Sequence, residues 1–318
     1  MRTVSILCLL LLVAAPEAFG QIPALGRARD AVLNRTPNLS RLLEGTPPVS
    51  TNINDATFGD ASRDAFVPPV AVRSMLELQR TPNGGFVLQP GYWEMHTQSY
   101  CLHAGTHGPG GGDGYLYAPV LGSADDAVVS ILRNSVNHPD IEQSQIQQLL
   151  WAIVARAKFE DLNNQLKNTA SRLLTPSELA GLNRNALDML PGAATNRLIE
   201  RAPAPLRTAL RAEAQLRQML TSPLASFEEM ERVAVLAGVA PMGPGSQTVS
   251  EGRWSRHPDG YYIRYVPRGY SYTLTQIWVP EDSEASGREF DAATHIAVPG
   301  NTSRQRLAQS GRVHRSDG

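Results

Sequence analysis

The period of the apolar residues changes twice along the chain, and this change limits the folds that it can form. Between Phe86 and Leu102 apolar or small residues alternate with polar ones, which is the period of a strand. From Ser123 to about Gly238 the spacing becomes helical, and from Trp254 to Val279 alternation returns in three short runs joined by turns. We therefore predict an α+β fold with a short β element carrying the cysteine, a helical middle region and a C-terminal antiparallel β-meander.

Shifts in composition divide the 318 residues into five segments. A run rich in proline and asparagine precedes the first strand, and a Pro-Met-Gly-Pro-Gly run separates the helical region from the meander. We predict a signal peptide over 1–20, an N-terminal arm or linker over 21–70, an α+β domain over 71–240, the β-meander over 241–281 and a polar tail over 282–318.

The N-terminal segment has the layout of a secretory signal peptide. Arg2 is followed by an apolar run from Ile6 to Ala15, and Ala18-Phe19-Gly20 places small residues where a signal peptidase requires them. The sequence therefore predicts export, to the periplasm or the outside of the cell, with cleavage near Gly20–Gln21. No later stretch approaches the roughly 20 apolar residues of a membrane-spanning helix.

The overall charge does not favour a polyanionic partner. The formal net charge is −1, so nothing in the balance of charges indicates nucleic acid or an anionic membrane surface. The sequence also predicts no cofactor and no bound metal, and it carries no signal for a particular oligomeric state.

Cys101 is unusual for an exported chain. Of the two cysteines, Cys8 lies within the predicted signal peptide, so the mature protein keeps only Cys101. Exported proteins normally pair their cysteines as disulfides. Cys101 is therefore an inert buried thiol, a reactive nucleophile or one half of another covalent link.

Gln147 is the second unusual residue. A helix predicted from Ile141 to about Phe159 places its amide on the apolar side, above Leu150, Trp151 and Val154. A buried amide without hydrogen-bond partners costs about 1–3 kcal/mol. We therefore expect a specific partner for the Gln147 side chain.

These two positions lie in motifs with a known counterpart. Tyr100-Cys101-Leu102 is an aromatic-Cys-apolar triplet, and Ile146-Gln147-Gln148-Leu149-Leu150-Trp151 is an apolar-Gln-x-x-apolar-Trp hexamer. Together they resemble the signatures of the internal-thioester domains of bacterial surface adhesins, over roughly residues 86–160. The separation of the cysteine and the glutamine is 147 − 101 = 46 residues.

The resemblance implies a covalent bond between the Cys101 and Gln147 side chains, formed with loss of ammonia. An amine-bearing protein or surface molecule would then attack this thioester, so the resemblance implies single-turnover covalent adhesion rather than enzymatic turnover. Trp151 and Tyr100 are candidates for shielding the bond from water. His103 and His107, close to Cys101 in sequence, are candidate proton shuttles.

Other roles for Cys101 stay open at this stage. The protein could be a non-covalent extracellular binding or structural protein whose cysteine is inert. It could be a Cys–His enzyme, with His138 or His257 supplying the imidazole. A zinc site would draw on His96, Cys101, His103 and His107, although alternation places His96 on the opposite face of the strand from Cys101. The tyrosine-rich meander could also form a binding face.

Overall fold

The computed structural model describes residues 46–187, 199–200 and 204–314. The predicted signal peptide and residues 21–45 of the predicted arm lie outside these ranges. The strands are β1 (Val72–Ser74), β2 (Phe86–Val87), β3 (Gly91–Cys101), β4 (Thr106–His107), β5 (Tyr115–Pro119), β6 (Val235–Leu236), β7 (Ser255–Arg256), β8 (Tyr262–Pro267), β9 (Tyr272–Val279), β10 (Glu289–Phe290), β11 (His295–Pro299) and β12 (Leu307–Val313). The α-helices are α1 (Asp125–Ser135), α2 (Gln143–Val154), α3 (Asn164–Leu173), α4 (Pro176–Asn185), α5 (Ala204–Thr221) and α6 (Phe227–Ala234).

Six strands close into an antiparallel β-barrel in the order β3-β12-β11-β5-β8-β9, and β9 pairs with β3 to complete the ring. Closure leaves no free edge among these six strands. β1 runs parallel beside β3, and β7 pairs with β8 outside the ring.

The predicted arrangement of a short β element, a helical middle region and a separate β-meander is therefore wrong. The strands of the meander form where the alternation predicts them, but β9 pairs with β3 from Gly91↔Val279 to Gln98↔Tyr272. The segment 282–318, predicted as a polar tail, supplies β11 and β12, which complete the wall between β3 and β5. The element that carries Cys101 is thus one wall of a barrel, and the barrel dominates the fold.

Two apolar clusters follow from the alternation along the strands. The barrel interior contains one set of side chains, among them Trp93, Met95, Tyr115, Tyr265 and Ile277. The opposite face of β5, β11 and β12 packs against the helices, with Leu116, Ile296, Val298 and Ala308 beside Ile131 and Leu150.

The helices cover one side of the barrel. α1 packs against β12, and α2 packs against β3 and against α5. α2 is shorter than the predicted helix, because it ends at Val154 and Arg156 takes a left-handed backbone conformation with a φ of 53°. No helix in the described ranges is long and apolar enough to cross a membrane. Cys101 lies in the cluster between the barrel wall and the helices.

Candidate functional site

Cys101 lies at the point where β9 separates from β3. The pairing of the two strands ends at Gln98↔Tyr272, and a last backbone bond joins the N–H of Ser99 to the carbonyl of Ser271 at 2.9 Å. On the other side of β3, Cys101 still pairs with Leu307 of β12. Beyond Ser99 one edge of β3 therefore needs hydrogen-bond partners that no strand supplies.

Gln147 supplies these partners. The backbone N–H of Cys101 donates to Oε1 of Gln147 at 2.8 Å, and Nε2 of Gln147 donates to the carbonyl of Cys101 at 3.0 Å. One helical turn earlier, Nε2 of Gln143 donates to the carbonyls of Ser99, at 3.1 Å, and of Ser271. Two glutamines of α2 thus replace the missing strand, and the structure brings the two residues of the predicted pair together. Gln147 is only 2% exposed.

The Cys101 thiol is fully buried and forms no disulfide within the described residues. Burial raises its pKa well above the ordinary value, and the charge of Glu231 raises it further. The thiol is therefore protonated at neutral pH, unlike the thiolate that rests in the site of a Cys–His enzyme.

Sequence reasoning missed three residues around this thiol. Glu231 of α6 accepts a hydrogen bond from the hydroxyl of Tyr270, and the carbonyl of Tyr270 accepts one from Oγ of Ser99 at 2.9 Å. Burial, and then this bond to Glu231, raise the pKa of Tyr270. Gln143 is the third, and its spacing of four residues from Gln147 was the available signal. Glu231 and Tyr270 had no comparable signal, because the fold alone brings them to the site.

The two predicted shielding residues are both fully buried in the apolar cluster that contains Cys101. Trp151 is fully buried in the same cluster as Cys101 and stacks on Phe227 of α6, with ring centroids 5.5 Å apart. Tyr100 is also fully buried, and its hydroxyl donates to Oε1 of Gln98 at 2.9 Å. Because neighbouring side chains alternate along a strand, Tyr100 faces away from the Cys101 side chain.

Of the two candidate proton shuttles, His103 lies in the loop that follows Cys101, and His107 lies in β4. Burial, and then the charge of Arg306, lower the pKa of His103 to about 4, so its imidazole is neutral at neutral pH. In the described part of the chain, the buried Nδ1 atoms of His103 and His107 have no hydrogen-bond partner. Whether either ring moves a proton to or from Cys101 stays a prediction.

The alternatives for Cys101 gain no support from the positions of the other histidines. His138 bonds to Arg172 at 3.0 Å, and His257 stacks on Tyr261. His96 is exposed and lies against Tyr272. Among the described residues, no three His, Cys, Asp or Glu side chains are grouped so that they could hold a metal ion.

Comparisons of this chain with protein-family models, with curated proteins and with solved structures find no match. What the site can do therefore follows from its geometry: a buried, protonated thiol, a primary amide bonded to the backbone of the same residue, and a carboxylate whose charge acts on the thiol.

Gly105 fixes the loop beyond Cys101 against α5. Its φ is +72°, and a Cβ there would lie 3.1 Å from both Cβ of Ala212 and the carbonyl oxygen of Thr208. We expect Gly105→Ala to lower the free energy of unfolding by about 1–3 kcal/mol, because it combines backbone strain with a backbone clash. Urea unfolding of both proteins would measure the difference.

Gly111→Ala, in the loop after β4, is the matched control, since a Cβ at Gly111 meets nothing within 4 Å. We expect this change to alter the free energy of unfolding by less than about 0.5 kcal/mol. Equal losses in the two variants would contradict the role assigned to the contact with α5.

Proposed function

We propose that the protein captures an amine-bearing partner covalently, through a thioester between the side chains of Cys101 and Gln147. The observation that carries this proposal is the pair of hydrogen bonds between the Gln147 amide and the Cys101 backbone. These bonds hold the amide carbon beside the only cysteine of the predicted mature chain. Export, predicted from the N-terminal segment, would present the site to partners outside the cell, such as lysine side chains on a surface.

Formation of the bond requires no other reactant. The sulfur of Cys101 attacks the side-chain amide carbon of Gln147, the carbon–nitrogen bond breaks, and ammonia leaves with the thiol proton. A protonated thiol needs a base, and we assign this step to Glu231, whose charge acts on Cys101. Tyr270 holds the Glu231 carboxylate in place through its hydroxyl.

In the capture step, the sulfur of Cys101 is the leaving group, whereas it is the nucleophile when the thioester forms. The nitrogen of a partner amine attacks the thioester carbon, the carbon–sulfur bond breaks, and Cys101 regains its proton as a free thiol. The partner is then joined to residue 147 through an amide bond. Water competes with the amine, so the reaction depends on the dry core around Cys101, where Trp151 and Ala152 are fully buried.

Intact-mass spectrometry of the purified mature protein tests the proposal. We expect a mass about 17 Da below that of the sequence, the mass of one ammonia, and a gain of about 31 Da after treatment with methylamine. After that treatment, Cys101 becomes available to iodoacetamide under denaturing conditions, whereas the untreated protein resists the reagent.

A full sequence mass, with Cys101 alkylated in the freshly denatured protein, would overturn the proposal. The Gln147 amide would then serve only to complete the edge of β3, a role for which both of its polar atoms are already paired. Prior hydrolysis is recognised separately, because it leaves glutamate at residue 147 and a mass about 1 Da above that of the sequence.

A further inference from the structure

A cavity lies away from Cys101, between α1 and the barrel. Its volume is about 400 Å³, within the range of about 300–1,000 Å³ that is typical of small-molecule sites. Its lining residues include none of Cys101, Gln147, Glu231 or Tyr270. Occupation of this cavity and formation of the thioester are therefore separate questions.

Four packed rings form one wall of this cavity. The ring of Tyr117 meets His257 edge-on at 4.7 Å and His295 at 4.9 Å, and His257 stacks on Tyr261 at 4.3 Å. All four residues line the cavity. The faces of tyrosine rings carry partial negative charge, which attracts cations.

Both imidazoles are neutral. Burial lowers the pKa of His257 to about 4 and that of His295 well below its ordinary value. The backbone N–H of Asp259 donates to Nδ1 of His257 at 3.1 Å, which places the ring proton on Nε2.

His295 is the residue that points to a ligand. It is 3% exposed, and its Nδ1 atom has no hydrogen-bond partner within the described residues. A buried polar atom without a partner costs about 1–3 kcal/mol, and a bound ligand with a suitable group would remove that cost.

The charges around the cavity decide the class of ligand. Among the described lining residues there are five carboxylates and one guanidinium, that of Arg133, which already bonds to Asp291. Arg288, outside the lining, pairs with Asp259 at 3.0 Å. The remaining carboxylates, those of Asp125, Asp126 and Glu289, form no ion pair within the described ranges of the chain, and they disfavour an anion.

We propose that this cavity binds a small organic cation with N–H donors, a guanidinium or ammonium group lying against Tyr117 and His295 and facing the acidic residues. This site goes beyond the proposed covalent capture and does not depend on it. A bare metal ion fits less well, since no three potential ligands are grouped in the described ranges.

Titration with methylguanidine, followed by ligand-observed NMR and calorimetry, tests the proposal. Guanidinium is a poor nucleophile at neutral pH, so the probe does not consume a thioester. We expect saturable binding at one site. The double variant Asp126→Asn/Glu289→Gln should weaken binding by about tenfold or more, because both side chains are exposed carboxylates lining the cavity.

Asp161→Asn/Asp282→Asn is the matched control, since it removes two exposed carboxylates that do not line the cavity. We expect its affinity to stay within about twofold of the unmodified protein. No saturable binding, equal weakening in both double variants, or preferential binding of acetate would each overturn the proposal. Thermal unfolding of each variant verifies that it is folded.

Discussion

Replacing Gln147 by glutamate is expected to abolish amine capture and, compared with a chain that keeps the Gln147 amide, to lower the free energy of unfolding by about 3–5 kcal/mol at pH 8. A carboxylate can accept from the N–H of Cys101 as Oε1 does, but it has no N–H to donate to the carbonyl of Cys101. It would also place a charge at a position that is 2% exposed, in a region where Glu231 already acts on Cys101. In addition, a carboxylate is a much poorer acyl donor to a thiol than a primary amide, so no thioester is expected to form.

The stability loss should depend on pH with a definite sign. An unfolded glutamate titrates near pH 4.3, and burial, together with repulsion between the carboxylate and the carbonyl of Cys101, raises the pKa of the folded state above that value. The native state then holds the proton more tightly than the unfolded state. The cost is therefore small below about pH 4 and grows as the pH rises toward the folded pKa. Urea unfolding of Cys101→Ala, which keeps the amide, and of Cys101→Ala/Gln147→Glu at pH 4.5 and pH 8 would measure it.

Cys101→Ala is the control that separates chemistry from structure. Alanine keeps the backbone N–H and carbonyl that bond to Gln147, so only the sulfur is lost. We expect this variant to lose amine capture entirely while its free energy of unfolding falls by only about 1–2 kcal/mol. Because Cys101→Ala also keeps the Gln147 amide, it is the reference for the Nε2 bond. If Cys101→Ala/Gln147→Glu were as stable as Cys101→Ala at pH 8, the importance assigned to that bond would be wrong.

The Gln147→Glu variant also represents the protein after hydrolysis of its thioester. Hydrolysis of a thioester at residue 147 leaves glutamate there and a free thiol at Cys101, which is the sequence of the Gln147→Glu variant. We therefore expect the hydrolysed form to unfold at the same urea concentration as that variant. The form with an intact Gln147 amide and the hydrolysed form would then differ in stability as well as in mass.

The pairing of Cys101 with Gln147 can be predicted from the sequence, but the barrel around these residues cannot. The β3 strand and the α2 helix follow from periodicity, and the orientation of Gln147 follows from the apolar neighbours on its helix face. A buried amide and a lone cysteine are both local anomalies. Such features can be recognised from the sequence without knowledge of the fold.

Closure of the barrel depends on pairings between distant residues. Cys101 pairs with Leu307, a separation of 307 − 101 = 206 residues. β12 reads Leu-Ala-Gln-Ser-Gly-Arg-Val, in which the polar Gln309 and Ser310 are buried by the fold rather than by their own hydrophobicity. Glu231 and Tyr270 are likewise ordinary surface residue types in sequence. Only the contact between α6 and the segment that precedes β9 makes them neighbours of the thiol.

Replacing Trp151 by alanine is expected to have the largest effect on the lifetime of the proposed thioester. Its indole is fully buried four residues after Gln147 and stacks on Phe227 at 5.5 Å with an interplanar angle of 18°. Removal of a buried tryptophan side chain costs about 3–5 kcal/mol through lost burial and the cavity left behind. The cavity also opens a route for water, so the hydrolysed form should accumulate faster. Unfolding curves and a mass-spectrometric time course would measure the two effects.

Trp151→Phe distinguishes shielding from simple core packing. Phenylalanine can still stack on Phe227, and it removes an indole Nε1 that has no hydrogen-bond partner within the described residues. We therefore expect a stability loss of about 1–2 kcal/mol and a hydrolysis rate close to that of the unmodified protein. If Trp151→Phe hydrolysed as fast as Trp151→Ala, the whole indole would be needed to exclude water. If neither variant hydrolysed faster, Trp151 would be a core residue alone, and the dryness of the site would come from the barrel wall and α6.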